Sequence, residues 1–280
     1  MALIAAIRKD RALIAEMDDK LPDAGHLYLW WLGQSGYLLQ WNGKRVLIDP
    51  YLSDSLTRKY AATDKPHVRM SEIVVQPDLL RGISVITSSH NHTDHLDADT
   101  LIPVLQNNPG VPMIIPEANR DFVAARLQMD PQYFTGLNDH RSVSVEGFTF
   151  QGLPARHNEL ERDELGQCRY MGYVIAFGSY RIYHSGDTLW YDELPLHPEL
   201  QGVDVALLPV NGYDPARRVP GNLDAREAVA LGKAIHAGYV IPCHYDMFEF
   251  NTADVQDFIK EAEKESQPYR VLGGGEYFSA

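Results

Sequence analysis

The segment His90-Asn91-His92-Thr93-Asp94-His95 puts four ligand-type side chains into six residues. It follows Val85-Ile86-Thr87, a β-branched run that predicts a short strand, so the segment reads as a loop at a strand end. His90 and His92 are two apart, and in extended backbone both imidazoles then lie on one side, able to pinch a single ion. Asp94 and His95 follow closely enough to face a neighbouring position. Groups of this kind are costly to bury without a metal, because each needs a polar partner. A solvated polar loop would account for one or two of them, but not for four in this order. The chemistry indicated is transition-metal binding by imidazole and carboxylate.

The composition agrees. The chain has 280 residues, with 11 His but only 2 Cys, so neither a disulfide framework nor a thiolate zinc site is expected. Lys and Arg total 25 against 38 Asp and Glu, a net charge of −13. That weighs against a nucleic-acid scaffold, which draws affinity from clustered cations. It leaves room for a small anionic substrate bound in a local basic pocket. No apolar run reaches the ~20 residues needed to cross a bilayer. Arg8-Lys9-Asp10-Arg11 interrupts the N-terminal apolar pattern, which argues against a signal peptide. With unpaired cysteines, a cytoplasmic location is expected, with no membrane and no nucleic-acid partner.

The elements that must position these residues come next. Leu3, Ile4, Ile7, Leu13, Ile14 and Met17 recur at helical spacing, which predicts a helix over residues 1–20. That helix would either dock on the chain's own sheet or pair with a second subunit, giving a homo-oligomer. Residues 21–280 contain no linker or repeat and are expected to form a single domain. Two strands are predicted between His26 and Trp41, and Asn42-Gly43 then suits a type I′ turn into a strand at Arg45–Ile48. Further strands are predicted at Val111–Ile115, Val143–Gly152, Tyr170–Phe177, Tyr180–Tyr183, Val203–Leu208, Tyr239–Ile241 and Val271–Phe278. Helices are predicted at Asp97–Leu105, Glu117–Leu127, Asp224–His236 and Thr252–Glu263, with Asp97 as a possible N-cap. Strands that dominate early and then alternate with helices point to a mixed α/β fold.

His90-x-His92-x-Asp94-His95 resembles the signature of the metallo-β-lactamase superfamily of binuclear hydrolases. Leu153-Pro154-Ala155-Arg156-His157 is similar to the segment that carries its third histidine. Tyr183-His184-Ser185-Gly186-Asp187-Thr188 is similar to its bridging-aspartate motif, and Ile241-Pro242-Cys243-His244-Tyr245 to its last histidine. The resemblance runs from about Trp30 to the C-terminus. Trp30-Trp31-Leu32-Gly33, Val203-Asp204-Val205-Ala206-Leu207 and Ile241–Asp246 look like the L-ascorbate-6-phosphate lactonase branch. About as similar is a branch of uncharacterised metal-dependent hydrolases, through Val203–Asn211 and Val271–Glu276.

The resemblance implies an αββα sandwich of two central mixed β-sheets flanked by helices. It implies that His90, His92 and His157 bind one metal, that Asp94, His95 and His244 bind another, and that Asp187 bridges the two. Zn²⁺ or Mn²⁺ suits such ligands, and Fe²⁺ also fits. The implied activity is hydrolysis by a metal-bound hydroxide of a small, anionic substrate such as a lactone or sugar-phosphate ester. Asp94 would orient the hydroxide and pass a proton to the leaving group. Two alternatives stay open: a phosphodiesterase on the same site, and a metal-bound sensor or scaffold without turnover.

Other residues are candidates for substrate contact. Arg218, in Arg217-Arg218 after the Val203 strand, could hold a phosphate or carboxylate through paired hydrogen bonds. His184 and Tyr245 flank the motifs, as do Trp190 and Phe248, while Arg156 and the Arg58-Lys59 pair are weaker candidates. His26, His67, His140, His197 and His236 are read as surface or core residues, and Cys168 and Cys243 as packing residues.

Overall fold

Trp30 and Trp31 are neighbours on one strand, so their side chains leave opposite faces, yet both are buried. A strand with both faces covered must lie inside a layered structure. The computed structural model describes residues 2–280.

The first sheet is built from β1 (Tyr28–Gly33), β2 (Gly36–Trp41), β3 (Lys44–Ile48), β4 (Val85–Thr87), β5 (Met113–Pro116) and β6 (Thr135–Leu137). The second contains β7 (Ser142–Val145), β8 (Phe148–Pro154), β9 (Met171–Phe177), β10 (Tyr180–His184), β11 (Val205–Pro209) and β12 (Tyr239–Cys243). The last strand, β13 (Tyr277–Ser279), returns to the first sheet beside β1. The strand orders are β13-β1-β2-β3-β4-β5-β6 and β12-β11-β10-β9-β8-β7, and both sheets mix parallel with antiparallel pairs.

The period of two sorts the strand side chains. Leu29, Trp31, Tyr37, Leu39, Val46 and Ile48 enter a core shared with Phe148, Phe150 and Tyr173 of the second sheet. Tyr28, Trp30, Leu32, Leu38 and Leu47 enter a second core on the opposite face. There α1 (Asp10–Asp19), α3 (Ala98–Asn107) and α4 (Arg120–Leu127) contribute Leu13, Met17, Leu101, Val104 and Val123. On the far side, α5 (Ala225–Ala234) and α6 (Val255–Glu265) bury Val229, Leu231, Phe258 and Ala262. This is the expected αββα sandwich. A short helix absent from the sequence reading, α2 (Ser55–Tyr60), packs near Phe248.

Some boundaries differ. The N-terminal helix is Asp10–Asp19, and Ile4 instead pairs in parallel with Ser71. Leu13 and Met17 are fully buried in the chain's own core, and Trp30 Nε1 donates to Glu16 at 3.2 Å, so this helix docks on its own sheet. Asn42 and Gly43 take φ of 47° and 72°, as a type I′ turn requires. Asp97 precedes α3, but its carboxylate bonds Thr100 and Ser55 side chains rather than a helix N–H. The C-terminal strand is short because Gly273-Gly274-Gly275 turns the chain before it. No described helix is long and apolar enough to cross a membrane.

The directions of pairing bring key strand ends together. β4 is parallel to β3, and β1 runs the same way because β2 is antiparallel to both. β8, β10, β11 and β12 share one direction for the same reason. The residues that follow β1, β3, β4, β8, β10 and β12 form the candidate site, as ligand sites commonly do beyond the carboxyl ends of strands.

Candidate metal centre

Each candidate ligand sits just beyond a strand: His90–His95 after β4, His157 after β8, Asp187 after β10 and His244 after β12. Backbone strain marks the corners, for His244 takes φ 65°, Gln34 52° and Asp49 40°. Gly186 also has a left-handed φ of 59°, and a Cβ there would lie 2.8 Å from Ser89 Cβ. Only glycine lets β10 turn past the His-rich loop and deliver Asp187.

The seven residues form two groups whose donor atoms lie within 4.8 Å of one another: His90, His92 and His157, and Asp94, His95, Asp187 and His244. Asp187 reaches both, with Oδ2 3.4 Å from His244 Nε2 and 3.7 Å from His157 Nε2. Its Oδ1 is 3.2 Å from His95 Nε2.

The surroundings orient the ring nitrogens. His157 Nδ1 lies 2.9 Å from the Gly221 carbonyl, which fixes the proton there and leaves Nε2 bare. His95 Nδ1 lies 2.8 Å from Asp49 Oδ2. Asp49 is fully buried and also accepts from the Ser89 backbone at 3.0 Å and from the Ser89 hydroxyl. Arg126 on α4 straps the loop from outside, donating to the Asn91 and Leu96 carbonyls at 2.7 and 3.1 Å.

These groups fit a cation better than they fit one another. His90 Nε2 is buried without any hydrogen-bond partner, and buried His95 Nε2 and Asp187 Oδ1 have only each other, 3.2 Å apart, an expensive state for polar atoms. The Gln34 amide nitrogen donates to Asp94 Oδ2 at 2.8 Å and lies 2.9 Å from His244 Nε2. Turned over, its oxygen could accept from a protonated His244 but would oppose Asp94. Divalent ions relieve such a set of imidazoles and carboxylates.

The electrostatics of the two groups differ. Burial, reinforced by neighbouring histidines, holds His90 well below the ordinary imidazole range, and burial lowers His92 and brings His157 to about 4. This group is already deprotonated at neutral pH. Burial would also lower His95 and His244, but Asp187 and Asp94 more than reverse it. His95 is held well above its usual range and His244 is raised to about 9. Burial would raise Asp94 and Asp187, yet His95 and His244 keep both below the usual carboxylate range.

A pH prediction follows from His244. Its folded value, about 9, exceeds the ordinary 6.5. The proton therefore contributes stability in full below 6.5 and loses it as pH rises through about 9. Chelator-treated protein is expected to have a lower urea midpoint at pH 9.5 than at pH 7.5, a window in which the lowered histidines such as His90, His92 and His157 are neutral in both folded and unfolded chains. An equal or higher midpoint at pH 9.5 would contradict the raised imidazole.

Above the two groups lies a cleft of about 340 Å³. His92, Asp94, His157, Asp187 and His244 form its floor, and Lys59, Arg126, Arg218, Tyr60, Phe248 and Phe250 are among its walls. Arg218 stands at the mouth and pairs with exposed Asp64 at 2.7 Å. Arg217 is tethered to the Asn211 and Thr252 carbonyls. Arg156 donates to the Asn158 and Trp190 carbonyls and does not line the cleft. Arg58 pairs with Asp99.

The structure does not bring the other two proposed substrate contacts to the cleft. Tyr245 is buried, stacked on Trp31 at 4.5 Å, and donates its hydroxyl to the Leu272 carbonyl at 2.6 Å. His184 is buried 3.0 Å from the Ser35 carbonyl and packs edge-on against Tyr37. His184 ends β10 facing inward, and Tyr245, just past β12, is turned into the core between the sheets after His244 takes its left-handed φ. Conversely, His67 belongs to the cleft wall, stacked on Tyr60 at 4.1 Å and near Phe250 at 4.4 Å. Gln34, Asp49, Ser89 and Arg126 were not singled out in the sequence. The one available signal was Ile48-Asp49-Pro50, an acidic residue closing an apolar strand.

The family described as "Beta-lactamase superfamily domain" matches residues 44–245. A UPF0173 metal-dependent hydrolase of Methanosarcina mazei is 29% identical over 240 residues, covering 85% of this chain and 91% of that protein. One from Aeropyrum pernix is 27% identical over 264 residues, covering 89% and 96%. Among solved structures, the metallo hydrolase Igni18 of Ignicoccus hospitalis has a TM-score of 0.65 at 21% identity, covering 91% of this chain and 98% of its own. An isothiocyanate hydrolase from Delia radicum gut bacteria has a TM-score of 0.70 at 18% identity, covering 90% and 98%. These two share the fold. With the matched residues spanning the His-rich loop and the final histidine, the chain belongs to the metallo-β-lactamase superfamily.

Proposed function

We propose that this chain is a metal-dependent hydrolase that uses two divalent transition-metal ions to cut a small anionic substrate, such as a lactone or sugar-phosphate ester. One observation carries the reading: Asp187 joins two groups of ligand-type side chains at the floor of a cleft with cationic walls. His90, His92 and His157 would hold one ion, Asp94, His95 and His244 the other, with Asp187 common to both. When bound, such a pair acidifies a water and polarises the oxygen of the bond to be cut. The curated relatives named metal-dependent hydrolases support the same class of activity.

The chain's own residues supply the rest. The Asp94 carboxylate is partly exposed at the cleft floor and can orient the attacking water and carry a proton to the leaving group. Lys59 and Arg218 offer positive charge where an anionic substrate would enter, and Tyr60, Phe248 and Phe250 give it an apolar wall. The Arg218–Asp64 pair is exposed at both ends. Such pairs contribute ~1 kcal/mol or less, so a substrate phosphate or carboxylate can replace Asp64 cheaply. The free, buried Cys168 and Cys243 suit a reducing compartment, and we place the protein in the cytoplasm.

A panel of lactones, phosphomonoesters, phosphodiesters and thioesters, run on Mn²⁺- and Zn²⁺-loaded protein, tests the reading. Turnover of lactones or sugar-phosphate esters is expected. Preference for phosphodiesters would make the protein a phosphodiesterase, and binding without turnover of any class would make it a sensor. Arg218→Ala is expected to raise KM for an anionic substrate by ~10-fold or more, the loss of one charge-assisted contact. A neutral ester should be affected much less, and equal effects on both would reject the role of Arg218.

A further inference from the structure

Another cluster of ligand-type side chains lies outside the cleft. His140, His197 and Glu199 each bring one ring nitrogen or carboxylate oxygen within 4.8 Å of the others. None of them lines the cleft. His140 sits in the turn between β6 and β7, at φ 56°, with its N–H donating to the Gly152 carbonyl at 2.9 Å. His197 joins two short 3-10 turns, Leu194–Leu196 and Pro198–Leu200, and Glu199 lies in the second. The donors thus come from two segments far apart in sequence, each with its backbone pinned.

Hydrogen bonds decide which nitrogen of His197 is free. The Tyr191 hydroxyl has one proton, and it goes to the Pro154 carbonyl at 2.7 Å. Tyr191 must then accept from His197 Nε2 at 3.1 Å, so Nδ1 carries the lone pair. Ligating histidines are held this way, with the other ring N–H given to a fixed acceptor. His197 is only 8% exposed, so its ring has little freedom to turn away.

Glu199 is short of positive partners. Its Oε2 is buried with no hydrogen bond, and its Oε1 is 3.8 Å from His140 Nδ1. Arg181 donates to the backbone carbonyl of Glu199 rather than to the carboxylate. Arg162 is taken by Asp139 at 2.6 Å.

We propose that His140, His197 and Glu199 form a peripheral site for one divalent transition-metal ion of the Zn²⁺ type. Two imidazoles and a carboxylate, with the His140 side open to solvent for a water, suit four-coordinate zinc. The ion would tie the β6–β7 turn to the segment carrying Tyr191. That hydroxyl bonds Pro154, three residues before His157. The site therefore braces the strand end from which a proposed cleft ligand projects.

Diffraction at the zinc absorption edge, from crystals of the whole protein grown at micromolar Zn²⁺, tests this. An anomalous peak between His140, His197 and Glu199 is expected in the wild type and should be missing in His140→Ala, while peaks in the cleft stay. His140 is exposed, so that variant should fold normally, and Glu199→Gln, nearly the same shape, gives an independent second case. In solution, Zn²⁺ titration should count one more equivalent in the wild type than in either variant. A wild type without the peak, a peak that survives His140→Ala, or equal stoichiometry in all three proteins would overturn the proposal.

Discussion

His92→Ala is expected to lose bound metal and hydrolytic activity together, each by at least ~100-fold, the upper range for disturbing even the outer partners of such a centre. His92 completes a group of three imidazoles, its ring 4.7 Å from that of His90 and 4.9 Å from that of His157. Without it, two neutral histidines and a distant Asp187 oxygen remain for that ion. The residue is only partly buried, so the truncation opens little cavity, and chelator-treated wild type and variant should melt alike. Metal content per chain by plasma mass spectrometry, measured beside turnover, checks the result. Exhaustive chelation of the wild type should reproduce the loss, and readdition of Zn²⁺ or Mn²⁺ should rescue the wild type alone. A variant that retains full activity with little metal would remove the basis for metal chemistry.

Asp49→Asn carries the second-largest effect, although Asp49 touches neither the cleft nor a proposed ion. Three donors converge on its carboxylate: the Ser89 N–H, the Ser89 hydroxyl and His95 Nδ1. An asparagine has one acceptor oxygen, so its amide nitrogen would confront a donor. His95 can relieve the conflict by moving its proton to Nε2, the atom 3.2 Å from Asp187. That nitrogen would then have no lone pair for a metal. The expected outcome is a 10- to 100-fold fall in metal affinity and activity. The buried unsatisfied donor should also cost about 1–3 kcal/mol of stability in the chelated protein. The readout that separates orientation from simple packing is the metal dissociation constant. Unchanged affinity in a destabilised Asp49→Asn protein would show that Asp49 only props the loop.

Much of the architecture was legible because periodicity reports burial. The stretch His26–Trp41 read as two strands, and Asn42-Gly43 announced the turn that carries β2 into β3. The Asp224–Glu227 spacing that opens α5 is a complete capping box in the structure, satisfying both backbone donors. The N-terminus was over-read, because helical spacing from Leu3 onward cannot reveal that Ile4 pairs with Ser71. α2 escaped notice because six residues give too little pattern.

The candidate site shows the same division. Local spacing brought out His90, His92, Asp94 and His95, since a single loop holds them. The resemblance pointed to His157, Asp187 and His244, which the chain brings in from three other strand ends. Tyr245 and His184 adjoin those motifs in sequence yet turn inward, because the left-handed corners at His244 and Gly186 separate their directions from those of the ligand side chains. His67, Gln34 and Arg126 reach the site from distant segments with no local mark.

The sequence by itself determined the kind of chemistry available: imidazole and carboxylate donors, no thiolate centre, and strands enough to bury them. Tertiary structure decided which histidines have a bare nitrogen and that the Asp49 carboxylate holds the His95 ring from behind. It also decided which cations face the cleft and that His140, His197 and Glu199 meet at all. The reason is physical. Ligand type is a property of one residue, whereas tautomer, charge state and convergence depend on partners up to 210 residues away, as Gln34 and His244 are. Only folding brings those partners within a few ångströms.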